Sequence, residues 1–165
     1  MNTKNIIVSA RKKGLCDQWF ENFQRDNSLK NLCAKYFEGS DWAMENDFPS
    51  LELLRNFKTD EFGLHTDFVG QVSLLSVLNR KAFFGNSKVI LDAKSFSVSE
   101  IYIRHNSEVE IFASENAIMT INVLDNTKVT INRNDDAQVT VYVYGDNTQV
   151  VEKNININVI NSNFK

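Results

Sequence analysis

Up to about Phe57, apolar residues recur at spacings of three and four; from residue 68 onward they alternate with polar ones. The first pattern predicts helices and the second predicts strands. Ile6, Ile7 and Ala10 mark a first helix, with Thr3 as N-cap and Gly14 as its C′ residue. Asp17 is expected to cap a second helix with an apolar face of Trp19, Phe20 and Phe23, leaving Glu21, Gln24 and Arg25 to water. Ser28 opens a third helix carrying the stripe Leu32, Cys33, Tyr36 and Phe37, and Gly39 stops it. Ser40 or Asp41 starts a short turn holding Trp42 and Met44, and Pro49-Ser50 starts a last helix with Leu51, Leu54 and Phe57. Residues 58–67 read as a connector. Helices this short need tertiary packing, and the density of Trp and Phe suits a compact mini-core, or else a ligand pocket or partner groove.

The second half repeats itself. Residues 87–106, 107–126 and 127–147 align, each opening with Ser or Thr, any residue, then Val. The apolar columns are Val89/Val109/Val129, Leu91/Ile111/Ile131, Ile101/Ile121/Val141 and Ile103/Val123/Val143. A fainter coil precedes them at 68–86, with Val72, Leu74 and Val77 among its apolar positions, and an irregular one follows at 148–165. A coil of about twenty residues cannot bury its inward side chains alone; stacking on its neighbours makes a continuous core. An antiparallel sandwich would also space strands regularly, but it would not repeat one corner chemistry in register. The expected fold class is therefore α+β: a short helical segment, residues 1–67, packed on or capping a C-terminal β-solenoid, or β-helix, at 68–165.

With 6 Gly and 1 Pro in 165 residues, the usual turn formers are scarce. Asparagine is expected to replace them: Asn86, Asn106, Asn126 and Asn147 would stack as a corner ladder, taking the left-handed conformation that tight corners need. A net charge of -3, with acids and bases mixed, provides no footprint for nucleic acid or an anionic membrane, so neither is an expected partner. Cys16 and Cys33 read as small helical apolar residues, which fits a reducing compartment. No stretch approaches the length of a bilayer span, and the N-terminus lacks the apolar run of a secretion signal.

Candidate chemistry is sparse. His65 and His105 have no ligand partner at metal spacing and are expected at a surface or corner, so no metal or cofactor is expected. Asp135-Asp136, with Glu115 and Asp125 nearby, are candidates for a catalytic carboxylate pair, and solvated turn formers explain them as well. Six-residue acyltransferase repeats, calcium-binding nonapeptides, phosphate loops and nucleophile elbows are absent, and the chain is poorer in glycine than bactofilin-like filament formers. One stripe stands out on the strands, pointing away from the core: Tyr102 and Arg104, then Asn122 and Leu124, then Tyr142 and Tyr144. Tyr and Arg suit a partner-binding face, although cross-strand pairing would also account for them. The alternation of Asn with Ile155, Ile157 and Val159 suggests a last strand that caps its own coil or pairs with a second subunit.

The run SEIYIRHNSEVEIFASENAIMTINVLDNTKV, with the helical lead-in and the segment PSLELLRNF, resembles small β-solenoid proteins of Bacteroidota and their phages or mobile elements. That resemblance implies a phage or mobile-element origin and carries no activity or site residues. The expected function is a non-enzymatic interaction or structural protein that forms a homo-oligomer or holds a protein partner, in the bacterial cytoplasm or a virion. The alternatives are a host-takeover or anti-defence protein sequestering a small signalling ligand in a pocket between the helices and the solenoid, near Arg80, Lys81, Arg104 or the helical aromatics, and a carbohydrate-active β-helix enzyme.

Overall fold

The structure is a computed structural model that describes residues 3–152 and 158–162. It divides into two compact units, Met1–Leu64 and His65–Lys165, a boundary slightly earlier than the sequence suggests.

Among the described residues, the first unit holds α1 (Lys4–Lys12), α2 (Asp17–Arg25), α3 (Leu29–Glu38), α4 (Ser40–Glu45), α5 (Leu51–Leu54) and a 3-10 turn, Asp60–Phe62. Gly14 ends α1 at φ +87°, which an L side chain resists. The Leu15 N–H returns to the Ala10 carbonyl and the Gly14 N–H to Arg11, a Schellman closure that buries Leu15 beside Ala10. Cys16, rather than Asp17, occupies the N-cap of α2; Asp17 is its first residue and pairs with Arg11 at 2.5 Å. Ser28 and Ser50 cap α3 and α5 as expected, their hydroxyls accepting the Asn31 and Leu53 N–H groups at 3.3 and 3.4 Å. Ile6, Ile7, Ala10, Leu15, Phe23, Leu32 and Phe48 form this unit's core.

The second unit is a parallel β-solenoid. Its strands are β1 (Leu64–Thr66), β2 (Val69–Leu74), β3 (Asn79–Phe84), β4 (Lys88–Ala93), β5 (Val98–Ile103), β6 (Glu108–Ala113), β7 (Ile118–Leu124), β8 (Lys128–Arg133), β9 (Gln138–Tyr144), β10 (Gln149–Glu152) and β11 (Asn158–Ser162). The expected connector thus contains both the 3-10 turn and β1. Each coil gives one strand to each of two sheets, ordered β1-β3-β5-β7-β9-β11 and β2-β4-β6-β8-β10. Lys88 pairs with Glu108 and Glu108 with Lys128, a step of twenty residues each time. Lys128 then pairs with Gln149, twenty-one residues on, which accommodates the extra residue of that coil at the corner near Gly145. The apolar columns read from the sequence face inward between the sheets, and Leu91, Ile101, Ile111, Ile121, Ile131 and Val141 are fully buried. The alternation through Ile155 and Ile157 lies outside the described residues, as does the Val159 side chain.

The corners explain the repeat. Asn126 donates to Asn106 at 3.4 Å and Asn106 to Asn86 at 3.5 Å, the expected ladder. Asn147 makes no such bond, and the left-handed conformation falls elsewhere than predicted. It belongs to Gly85, His105, Asp125 and Gly145 at one corner and to Ser95, Glu115 and Asp135 at the other. Turning there lifts the residue's N–H out of the sheet ladder, where it needs an acceptor. The next coil supplies one: Asp125 Oδ2 accepts the His105 N–H at 2.9 Å, His105 Nδ1 the Gly85 N–H at 3.2 Å, and Asp135 Oδ2 the Glu115 N–H at 3.1 Å. The opening Ser of the first two lines also bonds to the corner. Ser87 Oγ donates to the Phe84 carbonyl at 2.7 Å and accepts the Phe68 N–H at 3.0 Å, and Ser107 Oγ donates to the Gly85 carbonyl at 3.4 Å.

Candidate functional site

Strand alternation directs Tyr102, Arg104, Asn122, Leu124, Tyr142 and Tyr144 away from the solenoid core, as expected, yet they do not form an exposed stripe. Tyr102 is 2% exposed; Arg104, Asn122 and Leu124 are buried, and Tyr142 and Tyr144 are half-buried. Several of their polar atoms are engaged within the unit. Tyr102 donates to Glu100 at 2.6 Å, the Arg104 guanidinium lies 3.4 Å from Asp125, and Tyr144 donates to Asn122 at 3.5 Å. Arg80, one of the basic groups considered for a small anionic ligand, pairs with Glu100 at 3.1 Å.

The acidic residues are distributed by the corners. Six-residue β8 separates Asp125 from Asp135, about 20 Å of extended chain, so those two carboxylates do not converge. Asp135 turns its carboxylate to the backbone of the coil beneath it, beside Glu115, and Asp136 is exposed. His105 sits at a corner, as expected. His65 does not: it is buried in β1, stacked on Phe83 at 5.1 Å and 14° and tilted against Phe68. No group of three or more His, Cys, Asp or Glu side chains among the described residues is placed to hold a metal ion. No helix among them is long and apolar enough to cross a membrane.

The two thiols differ. Burial pushes the Cys33 thiol up to about 12, because a thiolate there would lose its hydration, whereas Cys16 is exposed. In a thiol titration of the native chain at pH 8, Cys16 is expected to react at once and Cys33 only after denaturant is added. Two fast thiols would contradict this packing.

The outer face of the β2-β4-β6-β8-β10 sheet is open to solvent and charge-alternating. Lys88, Glu108 and Lys128 form one column, about 5 Å apart, and Ile90, Glu110 and Thr130 the next. Alternating charge of this kind makes a solvated face that also favours the observed register.

One corner is chemically unlike the others. Between β2 and β3, Leu75, Val77 and Leu78 are 57%, 78% and 61% exposed; in the next coil Phe96 is 75% exposed, and Ile118 in the coil after is 43% exposed. The Val98 N–H bonds the Ser76 carbonyl at 3.3 Å, which lays the two corners against each other. The β3-β5 register, Asn79 on Ser99, carries Leu78 onto half-buried Val98, and Val98 pairs with Ile118, so these three form one column across three coils, with Leu75, Val77 and Phe96 at the same corner. In the coils that follow, the position of Phe96 is held by Asn116 and Asp136, both exposed and polar. A contiguous exposed apolar patch on a soluble surface marks a contact site. The sequence reading missed it because the first coil departs from the Ser-x-Val pattern, although Phe96 interrupting a polar corner column was a visible signal.

Compared with family models, with curated proteins and with solved structures, the chain matches none.

Proposed function

We propose that this is a non-enzymatic interaction protein whose solenoid is a rigid platform, and that the corner strip of Leu75, Val77, Leu78, Phe96 and Ile118 is where another protein docks. The observation that carries this reading is the gathering of those five large exposed apolar side chains at one corner, where the matching positions of the later coils are polar. The corner is tied to paired strands on either side, which limits the freedom it loses on binding and leaves more of the contact energy as affinity. A phage or mobile-element origin, action in a bacterial cytoplasm or a virion, and assembly into homo-oligomers belong to the same proposal.

Two measurements test it. Leu78→Ser, Phe96→Ser and Ile118→Ser together alter exposed positions, so the melting behaviour is expected to stay close to the parent's, within about 0.5 kcal/mol per site. Affinity capture from a lysate of the source cell is expected to retain a protein with the parent chain and lose it with the triple variant; equal retention would move the docking site elsewhere. Light scattering of the two chains shows whether that protein is a second copy.

A further inference from the structure

The helical unit contains an apolar space that its own residues leave unfilled. A cavity of about 410 Å³ lies among α2, α3, α4 and α5, with Trp19, Trp42, Phe48, Phe57 and Leu53 on its walls. Protein interiors pack close to crystal density, and voids on this scale destabilise them. In a unit this small, a set of aromatic side chains around such a space calls for an occupant. Trp19, Trp42, Leu53 and Phe57 remain only partly buried although they border the core, so each keeps apolar area that an occupant would cover.

Size and charge narrow the occupant. The volume lies in the range of small-molecule sites, about 300–1,000 Å³. Two turns of helix, about 10 Å across and 11 Å long, would not fit. The polar groups on the lining include one cation, Lys35, and it is committed: it is bonded to Glu38, and its ammonium lies 5.4 Å from the centre of the Trp19 ring. Asp41 adds a negative charge, and the Thr59 hydroxyl is taken by the Leu64 carbonyl at 2.7 Å. An anionic ligand would find no available counter-charge there and would meet a carboxylate instead.

We propose that this cavity binds a neutral, mostly apolar small molecule, aromatic or hydrocarbon, held by Trp19 and Trp42. The site is independent of the docking strip and stands or falls separately from it.

The chain's two tryptophans are the two that line the cavity, so tryptophan emission reports occupancy directly. The full chain is titrated with N-phenyl-1-naphthylamine, a neutral probe, and with 1-anilinonaphthalene-8-sulfonate, its anionic counterpart. Saturable energy transfer from tryptophan is expected for the neutral probe, with the sulfonate binding about tenfold more weakly or worse. Leu53→Phe and, separately, Leu29→Phe push a larger side chain into the space. Both are expected to weaken probe binding about tenfold with the helical circular dichroism unchanged. Cys16, exposed on the same lining, provides a readout on the unmodified chain: the neutral probe is expected to slow its alkylation by N-ethylmaleimide. Absence of transfer with the neutral probe, preference for the sulfonate, or unprotected Cys16 at saturating probe would each overturn the assignment.

Discussion

Replacing Asp125 with alanine is expected to destabilise the fold by about 3 kcal/mol, well beyond the effect of the same change at Asp135. Both residues sit at left-handed corners, at φ 62° and 54°, so the backbone strain of alanine is common to the two variants. Both carboxylates accept a backbone N–H from the coil beneath, so the lost corner bond is also shared. They differ in one respect: Asp125 also stands 3.4 Å from the guanidinium of Arg104, whose side chain is almost wholly buried. Removing the carboxylate takes one charged partner from that buried cation, whereas Asp135→Ala should cost only about 1 kcal/mol. Chemical denaturation of the two variants measures the difference. The Arg104→Leu change in the Asp125→Ala background should restore part of the loss, because the desolvation penalty of a buried charge that has lost a partner disappears with the charge. Equal losses at Asp125 and Asp135 would show that the ion pair contributes nothing.

Ile111→Ala is expected to cost about 3–5 kcal/mol, toward the upper end of the range for truncating a buried aliphatic side chain. Ile111 is fully buried and stands in a column between Leu91 and Ile131. How much a cavity costs depends on whether its walls can collapse into it. Here the walls are held apart by parallel main-chain ladders at about 4.8 Å, so Leu91 and Ile131 cannot close the gap without breaking them. Ile90→Ala, one residue before Leu91 on the open face and 40% exposed, is the control, with an expected loss of no more than about 1 kcal/mol. Urea denaturation of both variants checks the contrast; a matching small loss would mean that the interior between the sheets is loosely packed.

The same periodic logic decides what could be read without a structure. The inward columns were legible because one strand period, repeated every twenty residues, lets three copies of each position vote. The serine caps of α3 and α5 were legible because the hydroxyl does its work within three residues of its own position. What escaped depends on context beyond the repeat. The left-handed conformation falls one residue before each Asn from Asn86 to Asn126, because the Asn side chains bond to each other while the preceding residue makes the turn. At that turn the acceptor can be an imidazole as well as a carboxylate, a choice invisible in a pattern of turn formers. Alternation correctly directed Tyr102 and Leu124 outward from the core, but direction is not exposure, and both are buried. His65, expected at a surface or corner, packs between two phenylalanines that lie three and eighteen residues further along the chain. The apolar corner was misread for the opposite reason: Leu75, Val77 and Leu78 sit in a coil whose register the repeat could not assign, and Val77, read among its apolar positions, is 78% exposed.

The claim that this solenoid works as a platform rests on that corner, and site-specific photo-crosslinking tests it most directly. A photoreactive phenylalanine analogue is placed at Phe96 in one chain and at Asp136, the matching corner position two coils on, in another. In the source cell, the chain labelled at 96 is expected to yield a discrete crosslinked product, to a protein partner or to a second copy, and the chain labelled at 136 none. Crosslinking at 136 equal to that at 96, or no product from 96, would contradict the account.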